Sequence, residues 1–197
     1  MTDMFKNNKL LAFLIIGIIC INLVACKADP ALVIKETKGG YDLSVCLEEN
    51  EKPVLDALNK LDIHPEIVED STRGDATTYR YTETIQGIAF TCDLMFFKEG
   101  GNSKLKYYRK EVFFDQWPGS KETKAIQTVF DSIQTLYGTP DGGTDSLQLP
   151  SEEKVFATMQ DMSKWKKGDL KLSTAYNYSL EKRLTISIMG YSLDEVP

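Results

Sequence analysis

"TTYRYTETIQGIAFTCDLMFFKEGGNSKLKYYRKEVFFD", residues 77–115, decides the fold. Within it Ile88, Phe90, Cys92, Leu94 and Phe96 recur at every second position, with Ala89, Thr91, Asp93 and Met95 between them. Side chains alternate across a strand, so the first set is expected to face a core. "KEGGNS" (98–103) has the glycine and asparagine content of a turn. A strand on each side of it predicts a hairpin running to Phe114.

Downstream, "GSKETKAIQTVFDSIQTLYGTPD" (119–141) changes the period. Ile126, Val129, Phe130, Ile133 and Leu136 fall on one helical face, Ser120 suits the N-cap, Gly138 the C′ position and Pro140 the stop. The spacing predicts a helix over Lys121–Tyr137. "GDLKLSTAYNYSLEKRLTISIMGYS" (168–192) returns to alternation, with Leu170, Leu172, Thr174 and Tyr176 answered by Leu184, Ile186 and Ile188 across a turn at "SLEK". "SEEKVFATMQDM" (151–162) fits a short helix or a strand.

Upstream, Pro53 in "ENEKPVLDALNKLDI" (49–63) suits a first helical turn, where its missing N–H costs little. Val54, Leu55, Leu58 and Leu61 follow at helical spacing, so a helix is expected over Glu51–Leu61. "YDLSVC" (41–46) reads as a short strand or a lead into that helix. The order helix, strands, helix, strands gives an α+β class: an antiparallel sheet with helices packed on one face, arranged as two helix-plus-meander units.

The chain has 197 residues, 42% of them hydrophobic and 26% charged, which suits one globular domain. Its net charge of -6 argues against a nucleic-acid partner, because phosphate binding needs a basic field. The single histidine, His64, and four cysteines without a C-x-x-C pair provide no zinc framework, and the carboxylates lack calcium-loop spacing. No metal and no cofactor is expected. Neither a phosphate-binding glycine loop nor a G-x-S-x-G elbow is present.

The first residues say where the protein is held. Lys6 and Lys9 precede an uncharged, mostly apolar stretch from Leu10 to Ala25, which at 16 residues is shorter than the roughly 20 a helix needs to cross a bilayer. The stretch closes on "LVAC", Leu23–Cys26, before the polar "KADP". This resembles the lipobox of bacterial lipoprotein precursors. The resemblance implies removal of residues 1–25, a diacylglyceryl group on Cys26, and anchoring to the outer side of the cell membrane or to an outer membrane. Two acyl chains on one residue suffice for stable anchoring, whereas one does not. Residues 26–40, ending on Gly39 and Gly40, then read as a lipidated tether and 41–197 as the globular domain.

The second half, with "LYGTP", Trp165, "GDLKL" and "LTISI", resembles small exported α+β proteins of bacteria. In layout it is similar to the helix-and-meander modules of β-lactamase-inhibitor-like and outer-membrane-assembly lipoproteins. This likeness covers about half the chain. It implies a non-enzymatic binding domain that contacts an envelope protein or a cell-wall component, and it transfers no site residue.

Three constellations remain. Cys46 and Cys92 are the thiols left after lipidation of Cys26 and are candidates for a disulfide in an oxidising envelope, with a buried free thiol as the competing reading. Lys104, Lys106, Arg109 and Lys110 surround Tyr107 and Tyr108 and are candidates for contact with an anionic partner. The competing reading is a solvated edge strand whose lysines discourage strand addition. Trp117 and Trp165 are expected to close the core where helix meets sheet. The enzymatic alternative is a hydrolase assembled only in three dimensions, with His64 beside Cys46 or Cys92.

Overall fold

The computed structural model describes residues 31–68, 76–145, 149, 160–178 and 184–192. The signal segment and Cys26 lie outside these residues. A compact unit begins at Leu32. Its described strands are β1 (Lys35–Thr37), β2 (Gly40–Asp42), β3 (Glu66–Val68), β4 (Ala76–Ile85), β5 (Ile88–Glu99), β6 (Asn102–Phe114), β7 (Gly142–Gly143), β8 (Gln160–Lys167), β9 (Leu170–Tyr178) and β10 (Leu184–Ser192). Helix α1 spans Glu51–Asn59 and α2 spans Ser120–Tyr137.

Eight strands form one antiparallel sheet in the order β3-β4-β5-β6-β10-β9-β8-β7. Each helix precedes a four-strand meander, and the two meanders meet where β6 pairs with β10. This is the α+β arrangement expected, joined through the fourth strand of each unit. The turns follow from glycine chemistry. Gln86–Gly87 and Gly100–Gly101 are two-residue turns with positive φ at both positions, which matches the right-handed twist of the strands they connect.

Phe90, Cys92, Leu94 and Phe96 are fully buried, as their period requires, and register puts the last three in line with Tyr79, Tyr81, Leu105 and Tyr108. Both helices cover this face. Helix α1 buries Val54, Ala57 and Leu58, and Glu51 accepts a 2.5 Å hydrogen bond from Tyr79 Oη. Helix α2 buries Ala125, Ile126, Val129, Phe130 and Ile133. Phe130 meets Trp165 edge to face at 5.6 Å, and the Trp165 indole N–H donates to Gly138 O at 2.9 Å. Trp165 therefore closes the core where helix meets sheet, and Trp117 packs on it half-buried.

Several expectations need correction. Residues 32–40 are not a tether: Ile34 is buried, and β1 pairs with β2 in a hairpin packed on the domain. The hairpin docks because Gly39 has no side chain; a Cβ there would meet Val129 Cα at 2.7 Å. Helix α1 ends at Asn59, two residues before Leu61, and Leu55 is only half-buried while Ala57 lies inside. Ser120 starts α2 as its first residue, with Gly119 at the N-cap. In 151–162 the strand β8 begins at Gln160; residues 151–159 and the "SLEK" turn lie outside the described residues.

Candidate functional site

The face of the sheet turned away from α1 and α2, helix-free among the described residues, carries the side chains between those of the core. Arg80 on β4, Asp93 on β5 and Arg109 on β6 stand in one row of the register. Arg80 donates to Asp93 through Nε at 2.6 Å and Nη2 at 3.0 Å, and Arg109 Nη2 donates to the same carboxylate at 3.0 Å. Arg109 Nε lies 3.3 Å from Glu111 Oε2, and Ser187 Oγ on β10 donates to Glu111 Oε1 at 2.7 Å. A continuous chain of charges thus crosses three adjacent strands, and the Ser187 hydroxyl extends it to a fourth.

The carboxylate that joins the two arginines is dry, and the arginines are wetter. Asp93 has 5% of its side chain exposed, against 45% for Arg80 and 37% for Arg109. Burial pushes the Asp93 carboxyl up, but the hydrogen bonds from Arg80 and Arg109 outweigh it and hold the group below its ordinary value. A forked guanidinium held by a carboxylate loses little freedom when it meets a further acceptor. Thr82, Thr84 and Ala89 lie exposed on the same face, with Met95, Tyr107 and Tyr191 half-buried around the charges. Lys171 Nζ stands 5.7 Å over the Tyr191 ring.

All four cations expected to bind an anionic partner pair within the molecule; Lys106 and Lys110 are buried by it, while Lys104 and Arg109 stay about one third exposed. Lys110 points to the core face, where it pairs with Glu83 and donates to Gly39 O at 3.1 Å and Tyr41 O at 3.3 Å. Lys106 is the extra residue at a bulge between Met95 and Phe96, buried between Glu48 at 2.8 Å and Glu99 at 3.2 Å. Lys104 pairs with Glu99 at 3.1 Å, and Arg109 with Asp93. The edge-strand reading fails as well, because β6 lies between β5 and β10. Where β10 stops, residues 48–50 take over the outer edge of β6: Glu48 N donates to Leu105 O and Leu105 N to Glu49 O.

Cys46 and Cys92 are both fully buried free thiols, so the disulfide expected of them is not formed in this structure. Cys92 Sγ instead donates to Glu83 Oε1 at 3.5 Å. Burial pushes Cys46 up to about 12 and raises Cys92 further, so neither supplies a thiolate near neutral pH. His64 stands at the surface, its Nδ1 3.0 Å from Asn59 Oδ1 and its Nε2 3.2 Å from Asp62 Oδ1. The structure does not set it beside either thiol as the hydrolase reading requires. No cluster of three metal-ligating side chains occurs among the described residues.

Sequence reasoning missed Arg80, Asp93, Glu111 and Ser187. The only signal was Asp93 standing at an outward position between apolar neighbours. No family model, no curated protein and no solved structure matches this chain.

Proposed function

We propose that the protein is a lipoprotein of a bacterial cell envelope, held at the outer side of a membrane through Cys26, whose domain binds an envelope protein or cell-wall component rather than catalysing a reaction. The observation that carries the binding role is the ordered Arg80–Asp93–Arg109–Glu111–Ser187 chain on the helix-free face. Arginine and tyrosine are the residue types that dominate binding energy at interfaces, and here two arginines are preorganised beside Tyr107 and Tyr191. The groups that catalysis needs point elsewhere: the thiols are buried and protonated, and His64 sits apart with Asn59 and Asp62. "LVAC" after the basic and apolar segments supports the anchor.

Anchoring is tested by intact mass of membrane-extracted protein, which should show loss of residues 1–25 and gain of a diacylglyceryl group. A Cys26→Ser variant still cut at that bond and still held by the membrane overturns it. Binding is tested with a photo-crosslinking residue at Thr82, on the helix-free face, or at Asp131, on the outer side of α2, in intact cells. A discrete adduct from Thr82 that Arg80→Ala/Arg109→Ala abolishes supports the reading. An adduct from Asp131 alone overturns the assignment of the face.

A further inference from the structure

With the cations of β6 internally paired, one group of unpaired lysines stands out by its place in the fold. Lys35 and Lys38 on the β1–β2 hairpin and Lys121 and Lys124 on α2 are exposed and form no ion pair among the described residues. They converge. Lys35 and Lys38 line an open groove of about 800 Å³ together with Thr128, Asp131 and Thr135 of α2 and with Gln86. Lys121 reaches Gly87, the neighbour of Gln86, its Nζ 3.4 Å from where a Cβ there would lie. Lys124 stands one turn before Thr128, whose Oγ1 donates to its carbonyl. The spacing 121, 124, 128, 131, 135 keeps these residues on one stripe of the helix.

This basic rim lies beside the point where the compact unit begins. Leu32 is its first residue, and Val33 presents an apolar side chain 75% exposed between it and Lys35. Only residues 27–31 separate Leu32 from Cys26, so a lipid on Cys26 holds Leu32 within about 20 Å of the bilayer. The carboxylates facing the groove are Glu36 and Asp131, and Asp131 already accepts a 2.6 Å hydrogen bond from Gln127. Lys166, Lys167 and Lys171 at the β8–β9 turn form no ion pair among the described residues either, and what distinguishes the rim is its nearness in the chain to Cys26.

We propose that Lys35, Lys38, Lys121 and Lys124, with Val33, form a membrane-docking surface that sets the domain on anionic lipid headgroups and turns the opposite parts of the molecule outward. The inference rests on the lipid anchor of the preceding section. The full chain, processed in a bacterial host, is reconstituted into vesicles of phosphatidylcholine alone or with about a third phosphatidylglycerol. A fluorophore at Thr128→Cys or Asp169→Cys reports quenching by nitroxide-labelled headgroups. Anionic lipid should raise quenching at position 128 by at least about twofold, with little change at 169, and the gain should fall as salt shortens the Debye length below ~8 Å. Replacing the four lysines by Gln should abolish the gain while circular dichroism and vesicle retention stay unchanged. A control with Lys60, Lys98, Lys166 and Lys171 changed to Gln should keep it. Equal quenching at both positions, no response to anionic lipid, or equal loss in the control overturns the docking surface while anchoring stands. Protein that washes off both vesicle types overturns the anchor, and the docking surface with it.

Discussion

Glu83 and Lys110 form an ion pair on the helix-covered face of the sheet with 7% and 5% of their side chains exposed, although β5 runs between their strands. The pair is roofed by the hairpin backbone: Tyr41 N donates to Glu83 Oε2 at 3.1 Å, and the carbonyls of Gly39 and Tyr41 accept from Lys110. Two opposite charges so placed attract strongly but have each lost their water, so their value lies in being matched. Lys110→Met alone strands the Glu83 carboxylate and is expected to cost about 3 to 5 kcal/mol. Adding Glu83→Leu should recover much of that loss. Urea unfolding of the two single variants and the double variant measures the coupling, and additive losses would refute it.

The same roof explains Gly40. Its φ of +87° is one that side chains rarely adopt, and a Cβ would sit 2.5 Å from the Glu83 carboxylate. Gly101 has a similar φ of +89° with nothing within 4 Å. Gly101→Ala should therefore cost only the left-handed backbone penalty of about 1 to 2 kcal/mol. Gly40→Ala should cost more, because it also displaces Glu83 from Lys110. Thermal melts of the two variants side by side check the difference.

Asp93 makes stability depend on acid in a definite direction. Its carboxyl is held below the ordinary value of 3.8 in the folded chain, so its contribution is complete above that pH and fades as pH falls through the lower folded value. Asp93→Asn should lose about 1.5 to 3 kcal/mol at neutral pH, the range for a hydrogen bond to a charged group. The gap between variant and parent should narrow as pH drops below 3.8. A gap that is flat with pH would mean that Arg80 and Arg109 do not act through the ionised form.

The thiols are open to direct counting. In the folded protein neither Cys46 nor Cys92 should react with a thiol reagent at pH 8, because both are buried and hold their protons. In guanidinium both should react. Labels on both residues, located by peptide mapping, match the free thiols of the structure; a label on neither would show that the two are joined in the disulfide.

How much was legible in advance depended on the range of the physics. Phe90 to Phe96 and Ile126 to Ile133 could be read because burial imposes a local period that survives any tertiary arrangement. The Lys104–Lys110 run misled because what a cation does is decided by its partners, and Glu48 lies 58 residues from Lys106 along the chain. Asp93 looked solvated for the same reason, since Arg80 and Arg109 come from the strands on either side. The glycine pair at 39–40 was read as slack when it is a point of close approach, and nothing local says that Val129 and Glu83 press on it.

The pairing of β6 with β10 sets a schedule for the chain. β10 is made after every other described strand, yet it takes a place in the middle of the sheet, with β6 on one side and β9 on the other. Until Leu184–Ser192 has been synthesised, the first meander keeps most of one long edge of β6 unpaired and the second has nothing to join. Contacts between segments so distant in sequence form slowly, because the loop between them must first be closed. Until that last described strand is in place, the two meanders are halves of a sheet that is open along its centre.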